Sequence, residues 1–96
     1  MKFNDYHKYL RDRFLVDIQT SKYDVRIDRK SIFGNPFKIG KDGTREEVIN
    51  KYYEYILKRE DLLQEVKKLR NKILGCWCYP KYCHGDILIR IIYNVR

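Results

Sequence analysis

Alanine is missing from this sequence altogether, and its 96 residues hold one methionine, one tryptophan, two prolines and three cysteines. The missing alanine, set against plentiful Lys, Ile, Tyr and Asn, reflects the coding bias of an AT-rich genome and says little about function. All three cysteines fall between positions 76 and 83, so none is available to staple the rest of the chain, and a disulfide framework is excluded. No stretch approaches the roughly 20 consecutive apolar residues of a membrane-spanning helix. The opening MKFNDYHKYLRDRF interleaves charges where a secretory signal needs an apolar core. The expected location is therefore the cytoplasm, or the host cytoplasm for a viral protein.

Acidic residues are outnumbered, 13 against 21 basic, for a formal net charge of +8. A basic surface concentrates phosphates, which makes nucleic acid or a smaller polyanion a natural partner. The basic residues are nevertheless scattered and interleaved with Asp and Glu, as on any solvated surface. A chain of this length predicts one domain, residues 1–96, with one hydrophobic centre.

Phe3, Tyr6, Leu10 and Phe14 recur at helical spacing and predict a short amphipathic helix. Two strands follow, over residues 14–19 and 23–28, joined by a short polar turn. In the second, Tyr23, Val25 and Ile27 face one way and Asp24, Arg26 and Asp28 the other. Residues 31–43 form a loop long enough to carry function. Thr44 and Glu47 make a capping box that opens a helix running to about Arg59, with Val48, Ile49, Tyr52 and Ile56 on its buried face. A further helix starts near Asp61 and buries Leu62, Leu63, Val66 and Leu69. The apolar run from Ile73 to Cys78 reads as a buried central strand, and Ile87, Leu88, Ile91, Ile92 and Val95 form the apolar face of a last helix. The order α-β-β-α-α-β-α predicts a small layered, Rossmann-like α/β domain with one sheet and helices packed on it.

In such a sheet the end of a buried strand, followed by a turn and a helix N-terminus, is where ligands bind. The segment from Cys76 to Asp86, CWCYPKYCHGD, occupies that place. It supports three readings. Cys76, Cys78, Cys83 and His84 are ligand types for zinc, although the adjacent Cys83 and His84 would need unusual backbone geometry to reach one ion. Alternatively, Cys83 is a nucleophile at a helix start, with His84 and Asp86 handling protons. In the third reading the cysteines are small hydrophobes, His84 caps the helix, and Trp77 and the tyrosines fill the core. Gly85 would admit a ligand or a neighbouring backbone. In the loop, Gly34-Asn35-Pro36 is ordinary turn chemistry when taken alone. Arg45 changes its weight, because a cation in a first helical turn opposes the dipole unless it clamps an anion or pairs with an acid.

The stretches VRIDRKSIFGNPFKIGKDGTREEVINKYYEYIL and LRNKILGCWCYPKYCHGDIL together resemble the domain of unknown function family 4326, over about residues 22–90. Residues 1–21, a helix and a strand, lie outside the resemblance. That family has no established activity, so the resemblance implies a pattern of residues: Arg26, Arg29, Gly34, Asn35, Pro36, Arg45, Cys76, Cys78, Pro80, Cys83, His84, Gly85 and Asp86. Where the family often has Gly, this chain has Asp28. The leading expectation is a site for an anionic small molecule, such as a nucleotide or nucleotide-sugar. Arg26, Arg29 and Arg45 are available to its phosphate, Asn35 hydrogen-bonds a ring or ribose, Gly34 and Gly85 lie at the site, and Cys83, His84 and Asp86 carry any chemistry. The alternatives are a zinc-stabilised nucleic-acid-binding module using Lys67, Lys68, Arg70 and Lys72, and a virus-encoded protein-interaction factor using the tyrosine-rich surface.

Overall fold

The computed structural model describes residues 4–95. Helix α1 spans Asp5–Phe14, strand β1 Leu15–Asp17, β2 Val25–Arg26, α2 Arg45–Leu57, α3 Glu60–Lys67, β3 Leu74–Cys76 and α4 His84–Tyr93. The element order and the α/β class are those expected. The strands are shorter than expected, because only the residues that reach the central strand are paired.

β3 lies between the other two strands and is parallel to both. The polar turn between β1 and β2 therefore does not join a hairpin, and each strand instead pairs separately with β3, as Leu15 and Val25 both do opposite Leu74. The centre of β3 is Gly75. A Cβ there would sit 2.8 Å from the Tyr23 ring and 2.9 Å from the Ile18 side chain, so only glycine lets both pack across the strand. Since all three strands run the same way, their C-terminal ends share one edge, where ligand crevices of parallel sheets open.

Helix α4 is the hub, in contact with α1, α2 and α3. Its Ile87, Leu88 and Ile89 are fully buried against a core that includes Leu15, Ile27, Tyr52, Ile56, Val66 and Leu74. Gly85 in its first turn meets side chains: a Cβ would lie 2.8 Å from Leu15 Cδ2 and 3.0 Å from Ile27 Cδ1. The close approach expected at Gly85 is thus between helix and sheet. Among the described residues no helix is long and apolar enough to cross a membrane.

The buried face of α1 differs from expectation. Phe3 lies outside the described residues, and Tyr6 is 53% exposed, while His7, Leu10 and Arg11 are buried. Two polar residues turn inward because Asp86, fully buried in α4, awaits them. Arg11 Nε donates to Asp86 Oδ1 at 2.7 Å, and His7 Nε2 lies 3.3 Å from the same oxygen. Arg11 also donates to the Pro80 carbonyl at 2.8 Å, tying α1 to the turn after β3.

Candidate functional site

Beyond the C-terminal ends of β2 and β3 the chain leaves a cleft of about 310 Å³. The segment after β2 contributes Asp28, Arg29 and Lys30, and the long loop adds Asn35, Phe37 and Ile39. Arg45, Val48 and Ile49 come from α2, Trp77 and Cys78 from the turn after β3, and Cys83 and His84 from the start of α4. The first residues of two helices, Arg45 of α2 and His84 of α4, therefore face one space. Helix N-termini carry partial positive charge and favour anions.

The loop wall is held by hydrogen bonds of its own polar groups and of Tyr52. Asn35 Nδ2 donates to the Val48 carbonyl at 3.2 Å, and its Oδ1 accepts from the Phe37 amide at 2.9 Å. The Tyr52 hydroxyl donates to the Phe33 carbonyl from the core. At Gly34 a Cβ would lie 2.6 Å from Arg29 Cα and 2.8 Å from the Asp28 carbonyl oxygen, so this glycine lets the loop lie against the segment that carries Arg29. Gly34 and Asn35 thus act as builders of the wall.

The charges of the cleft are unbalanced. Among the described residues Asp28 is its only lining acid, and Arg26 neutralises it with contacts of 2.9 and 2.6 Å. The Arg26 hydrogen bonds hold the Asp28 carboxyl down at about 2, helped by the Trp77 indole, which donates to Oδ2 at 2.8 Å. The Asp in place of the family's Gly is therefore a strut joining the ends of β2 and β3. Arg26 itself points to this strut and does not line the cleft. Arg29 donates to the Phe37 carbonyl at 3.4 Å and Arg45 to the Tyr82 carbonyl at 3.1 Å. Neither they nor Lys30 form an ion pair among the described residues.

His84 stacks edge-on against Tyr52 with centroids 5.2 Å apart, and its Nε2 donates to the Ile27 carbonyl. Burial lowers its pKa from the ordinary histidine value, so the ring is neutral at pH 7. With the proton on Nε2, Nδ1 remains an acceptor.

The structure separates the residues expected to do chemistry. Asp86 lies on the opposite side of α4, where its Oδ2 accepts the Cys83 amide at 3.0 Å and closes the helix start. Burial alone would raise its pKa, but hydrogen bonds from His7 and Arg11 outweigh burial and lower it, so it is a buried carboxylate with its partners in place. The expected proton-handling pair of His84 and Asp86 does not form. Cys83 is 2% exposed, and its Sγ lies 3.5 Å from that of Cys76. The bond to Cys76 and burial push the Cys83 thiol well above the ordinary value, which does not suit a nucleophile, while the same bond brings Cys76 down to about 7. The four zinc candidates do not gather either. Among the described residues no three His, Cys, Asp or Glu side chains are arranged to hold a metal.

Sequence reasoning missed Lys30, Phe37, Ile39 and Trp77 as lining residues. Ile39 and Trp77 are both 53% exposed, an unusual state for large apolar side chains beside a cleft. Their signal in the sequence was position, Phe37 and Ile39 following the GNP turn and Trp77 ending the buried strand.

The sequence profile of the domain of unknown function DUF4326 matches residues 5–94, nearly the whole chain and well beyond the 22–90 of the resemblance noted above. The chain belongs to the DUF4326 family. Among its relatives is an uncharacterised protein of Acanthamoeba polyphaga mimivirus, 40% identical over 65 residues, which are 59% of this chain and 49% of that protein. The chain thus spans about half the length of the mimivirus relative. An uncharacterised 12.4 kDa protein from the nrdA-td intergenic region of Enterobacteria phage T4 is 37% identical over 83 residues, 81% of this chain and 75% of that one. No solved structure matches this DUF4326 chain.

Proposed function

We propose that the cleft binds an anionic small molecule of the nucleotide class, with phosphate on Arg29, Lys30 and Arg45 and a flat ring against Phe37, Ile39 and Trp77. The observation that carries this reading is that Arg29, Lys30 and Arg45, which form no ion pair among the described residues, line one cleft together with Phe37, Ile39, Val48, Ile49 and Trp77. A guanidinium binds phosphate through paired N–H donors, and both arginines are steadied by one backbone carbonyl each. Two helix N-termini add to the same field. The volume stands at the lower end of the range of about 300–1,000 Å³ for small-molecule sites, which suits a single nucleotide. His84 Nδ1 offers that ligand an acceptor.

The reading is one of binding. Cys83 and Asp86 are engaged with Cys76, His7 and Arg11, so no acid–base pair is aimed into the cleft. Nucleic-acid binding through Lys67, Lys68, Arg70 and Lys72 has less support. Lys68 pairs with Glu65 at 2.9 Å, and Arg70 donates to the Ile92 carbonyl while its guanidinium lies over Tyr93.

Trp77 is the single tryptophan and a wall of the cleft, so its fluorescence reports occupancy. Titration with uridine and adenosine monophosphates and a uridine diphosphate sugar is expected to give a saturable change for at least one of them. Removing a charged donor in Arg45→Ala is expected to weaken that binding by about 10- to 100-fold. No response up to millimolar ligand, or undiminished affinity in Arg45→Ala, would refute the proposal.

A further inference from the structure

The cysteines have no part in the anion-binding reading, yet two of them are placed together. Cys76 ends β3 and Cys83 precedes α4, and both are buried and free. Their sulfurs are 3.5 Å apart, whereas a disulfide needs about 2.05 Å, so a further approach of roughly 1.5 Å joins them. Cys83 also lines the cleft, which gives a water-sized reagent a route to the pair.

We propose that Cys76 and Cys83 are a redox-active dithiol, converted to an intramolecular disulfide by a hydroperoxide that enters through the cleft and restored by a thiol reductant. Cys76 Sγ, the sulfur that the bond from Cys83 favours as thiolate, attacks a peroxide oxygen that reaches it past Cys83. An S–O bond forms and the O–O bond breaks, giving a sulfenic acid and a hydroxide that takes up a proton. The second sulfur then attacks the first, an S–S bond forms, the S–O bond breaks and water leaves. Two electrons pass from the sulfurs to hydrogen peroxide, which ends as two waters. A thiol reductant reverses the bridge by exchange, becoming a disulfide itself.

The bridge would close a short ring around residues 77–82. That turn carries the Tyr82 carbonyl that holds Arg45 and the Pro80 carbonyl that holds Arg11. Oxidation therefore fixes the wall on which the cleft's arginine rests. Cys78, two residues on and partly exposed, also lines the cleft; its backbone amide donates to the Cys76 sulfur, but among the described residues its own thiol bonds to neither partner.

The test treats the reduced full chain with stoichiometric hydrogen peroxide, then denatures, alkylates and weighs it. The expected product has lost two hydrogens and keeps one alkylatable thiol in place of three, mapped to Cys78, and dithiothreitol returns all three. Because Cys76→Ser places a hydroxyl in the core, Cys78→Ser carries the decisive comparison, and it is expected to lose two hydrogens as readily as the parent. Three alkylatable thiols after peroxide, oxygen addition without bridging, or a bridge that disappears in Cys78→Ser would overturn the proposal. None of these outcomes depends on whether the cleft binds nucleotides.

Discussion

Replacing Asp86 with Asn is expected to destabilise this protein strongly, although Asp86 itself does not line the cleft. The carboxylate is fully buried and accepts from Arg11 at 2.7 Å, from the Cys83 amide at 3.0 Å, and lies 3.3 Å from His7 Nε2. Asparagine keeps the shape but leaves the Arg11 guanidinium, itself 6% exposed, without its counter-charge. Breaking a buried ion pair from one side costs about 3–5 kcal/mol, a large part of the roughly 5–15 kcal/mol available to a small domain. At about 4–8 °C per kcal/mol, the melting temperature should fall by at least about 12 °C. The pH dependence adds a second signature. Because the folded Asp86 pKa is depressed, its contribution is present above the unfolded value near 3.9 and is lost as pH falls toward the lower folded value. The parent should therefore lose stability on acidification below about pH 4, and Asp86→Asn should lose less. Urea melts followed by circular dichroism at pH 7 and at stepwise lower pH measure both effects. A variant within about 1 kcal/mol of the parent, or one with the same acid sensitivity, would refute the assignment of Asp86 as an anchor.

Gly85→Ala is expected to cost about 1–3 kcal/mol by urea melt, since its methyl group would press on Leu15 and Ile27. Thr44→Ala removes the side chain that accepts from the Glu47 amide and should cost about 0.5–2 kcal/mol in the same assay. Gly34→Ala is expected to displace the Arg29 segment, lowering nucleotide affinity in the Trp77 fluorescence titration more than Thr44→Ala does.

The elements of the fold were legible in the sequence because period and capping chemistry speak locally. The capping box at Thr44 and Glu47 and the buried stripe Val48, Ile49, Tyr52 and Ile56 lie where their spacing put them. The central place of β3 was legible as an unbroken apolar run. The long-range pairings were not. Nothing local in α1 says that His7 and Arg11 turn inward, because the reason lies some 75 residues away, in a carboxylate that looked like a catalytic group beside His84. A cleft opens at the meeting of the GNPF loop with the CHGD turn, but the residues expected around it were sorted by side-chain chemistry alone. Geometry reassigns Gly34, Asn35 and Gly85 to packing and bracing, sets Asp86 behind the helix, and brings forward Lys30, Ile39 and Trp77.

The central claim is that unpaired cations and an exposed tryptophan make one anion site. Its most direct measurement is an amide and indole NMR titration of the full chain with the nucleotide that most perturbs Trp77 fluorescence. The account predicts shifts confined to the Trp77 indole N–H and the backbone of Arg29, Lys30, Phe37, Arg45 and His84, with Lys67–Lys72 unmoved. Shifts centred on Lys67–Lys72, or none at millimolar ligand, would contradict it.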